Sequence, residues 1–258
     1  HTWARGEALV LAKTARAEDV LHTALSAGLQ QLLHNEDCVL TRCDPEGVHQ
    51  MRVALRRMRS VLGVLKPHLE PQSASALDDG LKAAARALGA ARDWDVFVDE
   101  LLPPVVGGGA GQADEAGLVV LRSHAERARD AGYQVAEALI RSPVYARLLS
   151  DILSEVGCRS EGADLPAIDF ATTVLARRHR QVLKAGKGLA QQTPAQRHRL
   201  RIAVKKVRYA AELFRSLYPA KKTTAYISAL RVLQDGLGHL NDLSTAQHLM
   251  AQLIQSAH

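Results

Sequence analysis

The sequence predicts an all-α fold on three observations. Aromatic residues make up only 4% of the 258 residues, and the alternation of β-branched residues that strands need is scarce. Ala, Leu, Arg, Gln and Glu dominate instead, which is the composition of long helices. Apolar residues, 47% of the chain, recur every three to four positions over long segments, so helices can bury a sizeable core between them.

Eight segments show this helical periodicity, and residues that end helices separate them. Asp44-Pro45 precedes the second segment, Pro103-Pro104 and three glycines follow the third, and Thr193-Pro194 precedes the seventh. No segment holds an uninterrupted apolar run of ~18 residues, so we expect no membrane span. In chain order, the predicted helices cover residues 18–33, 48–65, 81–102, 116–140, 144–156, 170–189, 195–217 and 224–254.

The cysteines and the first residue bear on compartment and chain length. Cys38, Cys43 and Cys158 cannot all pair with one another, and their spacing does not resemble a metal clip. With no secretory signal at the start, we expect a reducing, cytoplasmic location. Because the chain begins at His1 rather than Met, we also expect it to start within a longer gene product.

An internal repeat is the most informative feature of the sequence. When His49 is laid on His198 (198 − 49 = 149), the register holds without a gap to Asp93 and Asp242. Such self-similarity predicts a duplication, with two helical bundles related by a pseudo-twofold axis. We therefore expect a single domain over residues 1–258, made of pseudo-repeats at about 15–105 and 165–255 that are joined by helices within 112–156. Identical pairs include Arg52 and Arg201, Ala54 and Ala203, Arg59 and Arg208, Leu81 and Leu230, and Leu88-Gly89 and Leu237-Gly238.

Each repeat contains one helix with an apolar face and a basic face. No Asp or Glu occurs between residues 48 and 69 or between residues 170 and 211, although acids normally relieve like-charge repulsion on a helix. Two basic faces brought together by a pseudo-twofold axis would concentrate positive potential and bind a polyanion. The basic faces comprise His49, Arg52, Arg56 and Arg59 with Arg57 at the flank, and His198, Arg201, Lys205 and Arg208 with Lys206 at the flank.

The kind of polyanion follows from what the basic helices lack. Few aromatic residues accompany them, with Tyr209 and Tyr133 the nearest, so platforms for stacking bases are missing. Arginine and lysine read phosphate oxygens without a π surface. Inorganic polyphosphate, which is all phosphate and no base, fits this pattern best.

The two basic segments resemble the signature helices of the CHAD family, the conserved histidine α-helical domain. The segments are residues 48–59, VHQMRVALRRMR, and residues 197–212, RHRLRIAVKKVRYAAE. The resemblance covers nearly the whole chain, including Leu88-Gly89 with Arg92-Asp93 and the helix start at Ser142-Pro143. It implies two four-helix bundles with a central basic groove or pore, polyphosphate binding, and association with polyphosphate granules. It also implies that a CYTH triphosphatase domain can precede this one.

Carried over by position, the resemblance assigns polyphosphate binding to both basic helices. We expect no catalytic residue, metal or cofactor, and thus not an enzyme. Arg86 corresponds to Asp235 in the repeat, so the two halves differ there. The expected contacts are His49, Arg52, Arg56, Arg57, Arg59, His198, Arg201, Lys205, Lys206 and Arg208, with Lys82, Arg86, Arg180, Lys184 and Arg231 as weaker candidates.

Several alternatives remain open at this stage. The same cations could bind RNA, or an acidic protein partner. The paired histidines could carry a phosphoryl group, could gain charge as the pH falls and strengthen polyphosphate binding, or could only hydrogen-bond the loops at the helix starts. A hard cation could be held by Asp93, Asp95, Asp99 and Asp242, although such acids more often pair with the basic helices.

Overall fold

The computed structural model describes residues 2–66, 69–103, 115–157 and 165–237, and it confirms the all-α prediction. Within these ranges the secondary structure is helical, apart from one isolated antiparallel bridge between Arg16 and Pro166, and an extended N-terminal segment and short loops complete the described chain. The helices are α1 (Ala17–Thr41), α2 (Pro45–Leu65), α3 (Pro71–Ala87), α4 (Gly89–Val96) continued by a π-helical turn (Phe97–Leu101), α5 (Glu115–Ile140), α6 (Pro143–Gly157), α7 (Ala167–Ala185), α8 (Pro194–Leu213) and α9 (220–237).

The two basic helices, α2 and α8, begin in the same way. Pro45 and Pro194 occupy the first helical turn, where a missing N–H leaves no hydrogen bond unmade. Asp44 accepts a hydrogen bond from the Glu46 backbone N–H at 2.7 Å, and Thr193 caps α8 in a reciprocal capping box. The two starts lie 149 residues apart (194 − 45), the same shift that the sequence repeat shows.

Some helix boundaries differ from the prediction. The helix α1 continues to Thr41 instead of ending at 33, and α3 begins at Pro71 instead of 81 because Pro71 occupies its first turn and Glu70 caps it. A break at Leu88 separates α3 from α4. The segment 238–254 of the last predicted helix lies outside the described residues.

The main core brings together residues from Leu11 to Phe214. It comprises the inner faces of α1, α2, α3 and α6, together with the start of α7 and the end of α8. Phe170 and Phe214 meet edge to face there, with ring centroids 6.0 Å apart. The helices α5 and α6, predicted as a connection between the repeats, pack against α1, α3 and α4.

An extended segment, residues 2–16, crosses from the first half of the chain to the second. We call it the strap. Ala4 exchanges two hydrogen bonds with the side chain of Asn35 in α1, which is fully buried. The Leu11 backbone N–H donates to Ser216 Oγ at 2.9 Å, just after α8. The strap thus ties α1 to the end of α8.

Two features concern environment. Cys38, near the end of α1, forms a disulfide with Cys43 in the turn before α2, a pairing that the sequence did not predict. None of the helices in the described ranges is long and apolar enough to cross a membrane.

Candidate polyanion-binding site

The helices α2 and α8 contact each other and bring basic residues of both repeats into one group. At its centre lies Lys205, half-buried on α8. Desolvation and then the positive charge of four arginines together lower the pKa of Lys205 to about 8. We call this group the cationic cluster: Lys205 with Arg56, Arg201, Arg208 and Arg52.

The depressed pKa of Lys205 describes the electrostatics of the cluster. A lysine loses affinity for its proton when nearby positive charge and burial disfavour the ammonium form. A shift from 10.5 to about 8 corresponds to about 3 kcal/mol before solvent screening is discounted. An anion lying against the cluster would offset this penalty through its opposite charge.

Arg52 is held in place by the junction between α3 and α4. Its Nη1 donates to the Ala85 carbonyl oxygen at 3.1 Å. An added Cβ at Gly89 would lie 3.1 Å from the same nitrogen, so glycine there allows the guanidinium to approach. Burial lowers the pKa of Arg52, while the Asp93 carboxylate favours its charged form. The Leu88-Gly89 motif therefore positions a cation of the cluster.

Tyr209 lies between two arginines of the cluster. The Arg208 Cζ atom is 4.5 Å from the ring centroid and the Arg56 Cζ atom is 5.5 Å from it. Arg208 is also fixed by the side chains of Gln234 and Glu212. The ring is therefore engaged by the protein's own cations.

The remaining predicted residues of the first repeat lie around the cluster. Arg59 faces α3, where its Nε donates to Asp78 at 3.2 Å. Lys82 makes ion pairs with Asp78 and Asp79 on its own helix, and Arg86 is exposed. The structure therefore places Arg59 and Lys82 against carboxylates of α3.

His49 differs from the charged histidine considered above. Its pKa is lowered by burial first, and then by the positive charge of Arg92, with Glu46 opposing. At neutral pH, His49 is therefore an uncharged member of the basic face. A rise in its charge would begin below the ordinary histidine range rather than near 6.5.

The predicted residues of the second repeat are mostly exposed. Arg231 lies with its Nη2 3.8 Å from Glu212, while His198, Lys206, Arg180 and Lys184 are open to solvent. Arg57 of the first repeat lines a cavity that Tyr209 also lines.

One basic residue near the cluster was not among the predicted contacts. Arg92 in α4 is half-buried and perturbs both His49 and Arg52, and its Nη2 donates to Glu100 at 3.3 Å. The sequence pattern contained it in the Arg92-Asp93 pair, but only folding of α4 against α2 reveals its position.

The acidic residues considered as a cation site have other contacts. Asp99 pairs with Arg129, and the buried Asp95 accepts a hydrogen bond from the Tyr133 hydroxyl at 3.2 Å. Within residues 2–66, 69–103, 115–157 and 165–237, no three His, Cys, Asp or Glu residues group as metal ligands would. Asp242 lies outside the described residues.

Comparison with known proteins decides the family. The model of the CHAD domain family matches residues 23–251. The chain belongs to the CHAD domain family. The crystal structure of the CHAD domain from the plant Ricinus communis is 33% identical, with a TM-score of 0.85, covering 99% of this chain and 85% of that one.

More distant similarities agree with this CHAD fold. PptA from Streptomyces chartreusis is 17% identical with a TM-score of 0.60, covering 93% of this chain and all of that one, which supports the fold alone. Two uncharacterized proteins of Mycobacterium tuberculosis, from strains CDC 1551 and H37Rv, are each 28% identical over 248 residues. The alignment covers 92% of this chain but 46% of each relative, so the CHAD domain spans about half their length.

Proposed function

We propose that this CHAD domain binds inorganic polyphosphate at the cationic cluster, without turning it over, and that this binding directs the protein to polyphosphate granules. The observation that carries the proposal is the contact between α2 and α8, which groups the half-buried Lys205 with arginines from both basic helices. Membership of the CHAD family supports the same ligand.

The aromatic environment favours polyphosphate over RNA. A single-stranded nucleic acid gains much of its affinity from bases that stack on open aromatic rings. Tyr209 is engaged by Arg56 and Arg208, and Tyr133 is buried with its hydroxyl on Asp95. Phosphate oxygens need only the guanidinium and ammonium groups that the cluster offers.

Two architectural proposals accompany this one. We propose that the two halves are related by a pseudo-twofold axis, supported by the equivalent starts of α2 and α8 and by the antiparallel bridge between Arg16 and Pro166. We also propose that a CYTH triphosphatase domain precedes the CHAD domain in the native chain. Reading the codons upstream of His1 for an E-x-E-x-K signature tests this.

The decisive experiment is a titration with long-chain polyphosphate at pH 7 in 50 mM and 200 mM salt. Five cations, each releasing ~0.7 of a counterion, give a log–log slope of about −3.5, which is roughly a hundredfold loss of affinity over that range. Single-stranded RNA of equal charge serves as competitor. Displacement by RNA at equal concentration would refute the choice of ligand.

The variant Arg56→Glu with Arg201→Glu tests the location of the site. It reverses one charge from each basic helix, so we expect affinity to fall more than a hundredfold and the salt slope to collapse. The matched control is Arg122→Glu with Arg147→Glu, which makes the same change in net charge at side chains 67% and 78% exposed on α5 and α6. Equal losses in both variants would mean that only total charge matters.

A further inference from the structure

A cavity of about 340 Å³ lies behind Tyr209, where the strap passes over α2, α8 and α9. Its charged lining consists of Arg5, Arg57, Arg215, Arg231, Glu7 and Glu212. Two of these residues, Arg5 and Glu7, belong to the strap, which precedes the residues matched by the CHAD family model. The cavity is therefore built partly from a segment that precedes the residues matched by the family model.

The cavity adjoins the cationic cluster at Tyr209 and Arg57. Tyr209 contacts Arg56 and Arg208 on the cluster side and also lines the cavity. Arg57 follows Arg56 on α2, and burial lowers its pKa, with Glu212 opposing and Arg56 and Arg5 adding to the decrease. An anionic chain lying along the cluster would thus reach the cavity next.

The strap forms one side of the cavity, which residues 5–9 line. Asn35 holds it at Ala4 through two hydrogen bonds, and Ser216 holds it at Leu11. Gly6 packs so closely that an added Cβ would lie 2.1 Å from Gln31 Oε1 and 3.1 Å from Arg57 Nη1. The strap therefore blocks further extension of a linear ligand that enters from the cluster.

The lining charge indicates which part of a chain would stop there. Four arginines against two glutamates leave an excess of two positive charges. An internal phosphate of a polyphosphate chain carries one negative charge, whereas a fully ionised terminal phosphate carries two. Arginine forks suit the terminal group, which also presents three free oxygens.

We propose that this cavity binds the terminal phosphate of a polyphosphate chain, and that the next phosphate units of the same chain lie on the cationic cluster. The inference rests on the proposed function and adds to it a preference for chain ends. Arg57 and Arg5 bind the end group, Tyr209 separates it from the cluster, and the strap limits how far the chain extends.

The test compares two polyphosphates of equal length at pH 8, one with free ends and one with both end phosphates converted to alkyl phosphoramidates. The protein is expected to bind the free-ended chain about tenfold more tightly, the effect of one charge-assisted contact. Equal affinity for both chains would overturn the end-binding proposal while leaving the proposed function standing. Failure to bind either chain would overturn both.

Three substitutions locate the discrimination. Arg57→Gln and Arg5→Gln are expected to bring the affinity ratio between the two chains close to one while the cluster still binds both. Glu7→Gln removes a carboxylate from the cavity and is expected to increase the ratio. Using the ratio cancels general charge effects, so an unchanged ratio in all three variants would refute the assignment. Arg122→Gln on α5 is the matched control, with no expected change.

Two further measurements test the role of the strap and whether the cavity binds a chain end or free phosphate. Gly6→Ala should displace the strap without changing charge, because Gln31 is itself fixed by two hydrogen bonds from its Nε2 to Gln50, and we expect the ratio to fall. Orthophosphate, titrated alone, lacks the contacts on the cluster and should bind at least a hundredfold more weakly than the free-ended chain. Tight orthophosphate binding that Arg57→Gln removes would show a site for free phosphate instead, and would overturn the chain-end assignment.

Discussion

The ammonium group of Lys205 should make polyphosphate binding depend on pH in the range 7 to 9.5. In the free protein its pKa is about 8, because burial and the charges of Arg56, Arg201, Arg208 and Arg52 disfavour its charged form. A bound chain would neutralise these charges and return the pKa toward 10.5. Binding should therefore take up a proton in this range.

The magnitude follows from linkage between the two pKa values. With a pKa of about 8 in the free protein and ~10.5 in the complex, affinity should be roughly 30-fold weaker at pH 9.5 than at pH 7. At pH 9, binding should take up ~0.9 of a proton. Calorimetric titration with long-chain polyphosphate, in two buffers of different ionisation enthalpy, measures both quantities.

Two variants at this position provide the controls. Lys205→Arg keeps the charge at every pH in the range, so its affinity should stay flat from pH 7 to 9.5. The affinity of Lys205→Gln should also stay constant over this pH range, but it should be low throughout. The reasoning would be refuted if the affinity of the unaltered protein did not change with pH. It would also be refuted if the affinity of Lys205→Arg fell with pH as steeply as that of the unaltered protein.

The stability of the free protein should change in the opposite direction. A lysine whose pKa is lowered on folding destabilises the folded state fully below pH 8, and the penalty disappears as the pH rises toward 10.5. Lys205→Gln should therefore raise the free energy of unfolding at pH 7, by at most about 3 kcal/mol. A variant that gains stability and loses ligand identifies a binding role rather than a structural one.

Two further predictions concern the packing of α4 against α5. Burial raises the pKa of Asp95 to about 6, so ionisation of its carboxyl group destabilises the folded protein. This destabilisation is absent below pH 4 and fully present above pH 6. Asp95→Asn should raise the free energy of unfolding at pH 7 by up to about 3 kcal/mol. It should also flatten the dependence of that free energy on pH between 4 and 6, as measured by urea denaturation. A variant that is less stable than the unaltered protein at pH 7 would contradict the proposed cost of burying the carboxylate. Gly132→Ala would place a Cβ 2.8 Å from the backbone nitrogen of Ala91. Thermal unfolding should show a loss of about 1–3 kcal/mol in the free energy of unfolding. An unchanged unfolding midpoint would mean that the two helices separate freely.

Local periodicity predicted most of the helices, because an amphipathic helix records its own buried face. For α2, the predicted start at Val48 lies three residues after the observed start at Pro45, and the predicted end at Leu65 is correct. The start of α3 was wrong because proline was treated as a break, although at Pro71 it occupies the first turn. The end of α1 was missed because Asn35 and its polar neighbours look like a loop, yet Asn35 is buried to hold the strap.

The charges of the site were readable from the sequence, but their partners were not. Helical spacing places Arg59 on the same face as Arg52, and it cannot reveal that Asp78 of another helix meets Arg59. The lowered pKa of His49 likewise depends on its burial and then on Arg92, which α4 brings near. The strap carries no periodic signal at all, so the cavity that it closes could only be found in the folded chain.

The strap also has a consequence for biosynthesis. Leu11 and Ser216 are 205 residues apart in sequence, so this contact cannot form until the chain up to Ser216 has left the ribosome. Contacts between such distant residues pay a large loop-closure entropy, which slows their formation relative to the helices. The cavity behind Tyr209 should therefore be completed last during synthesis, so a nascent or truncated chain would have its basic helices before it had the wall that stops a ligand.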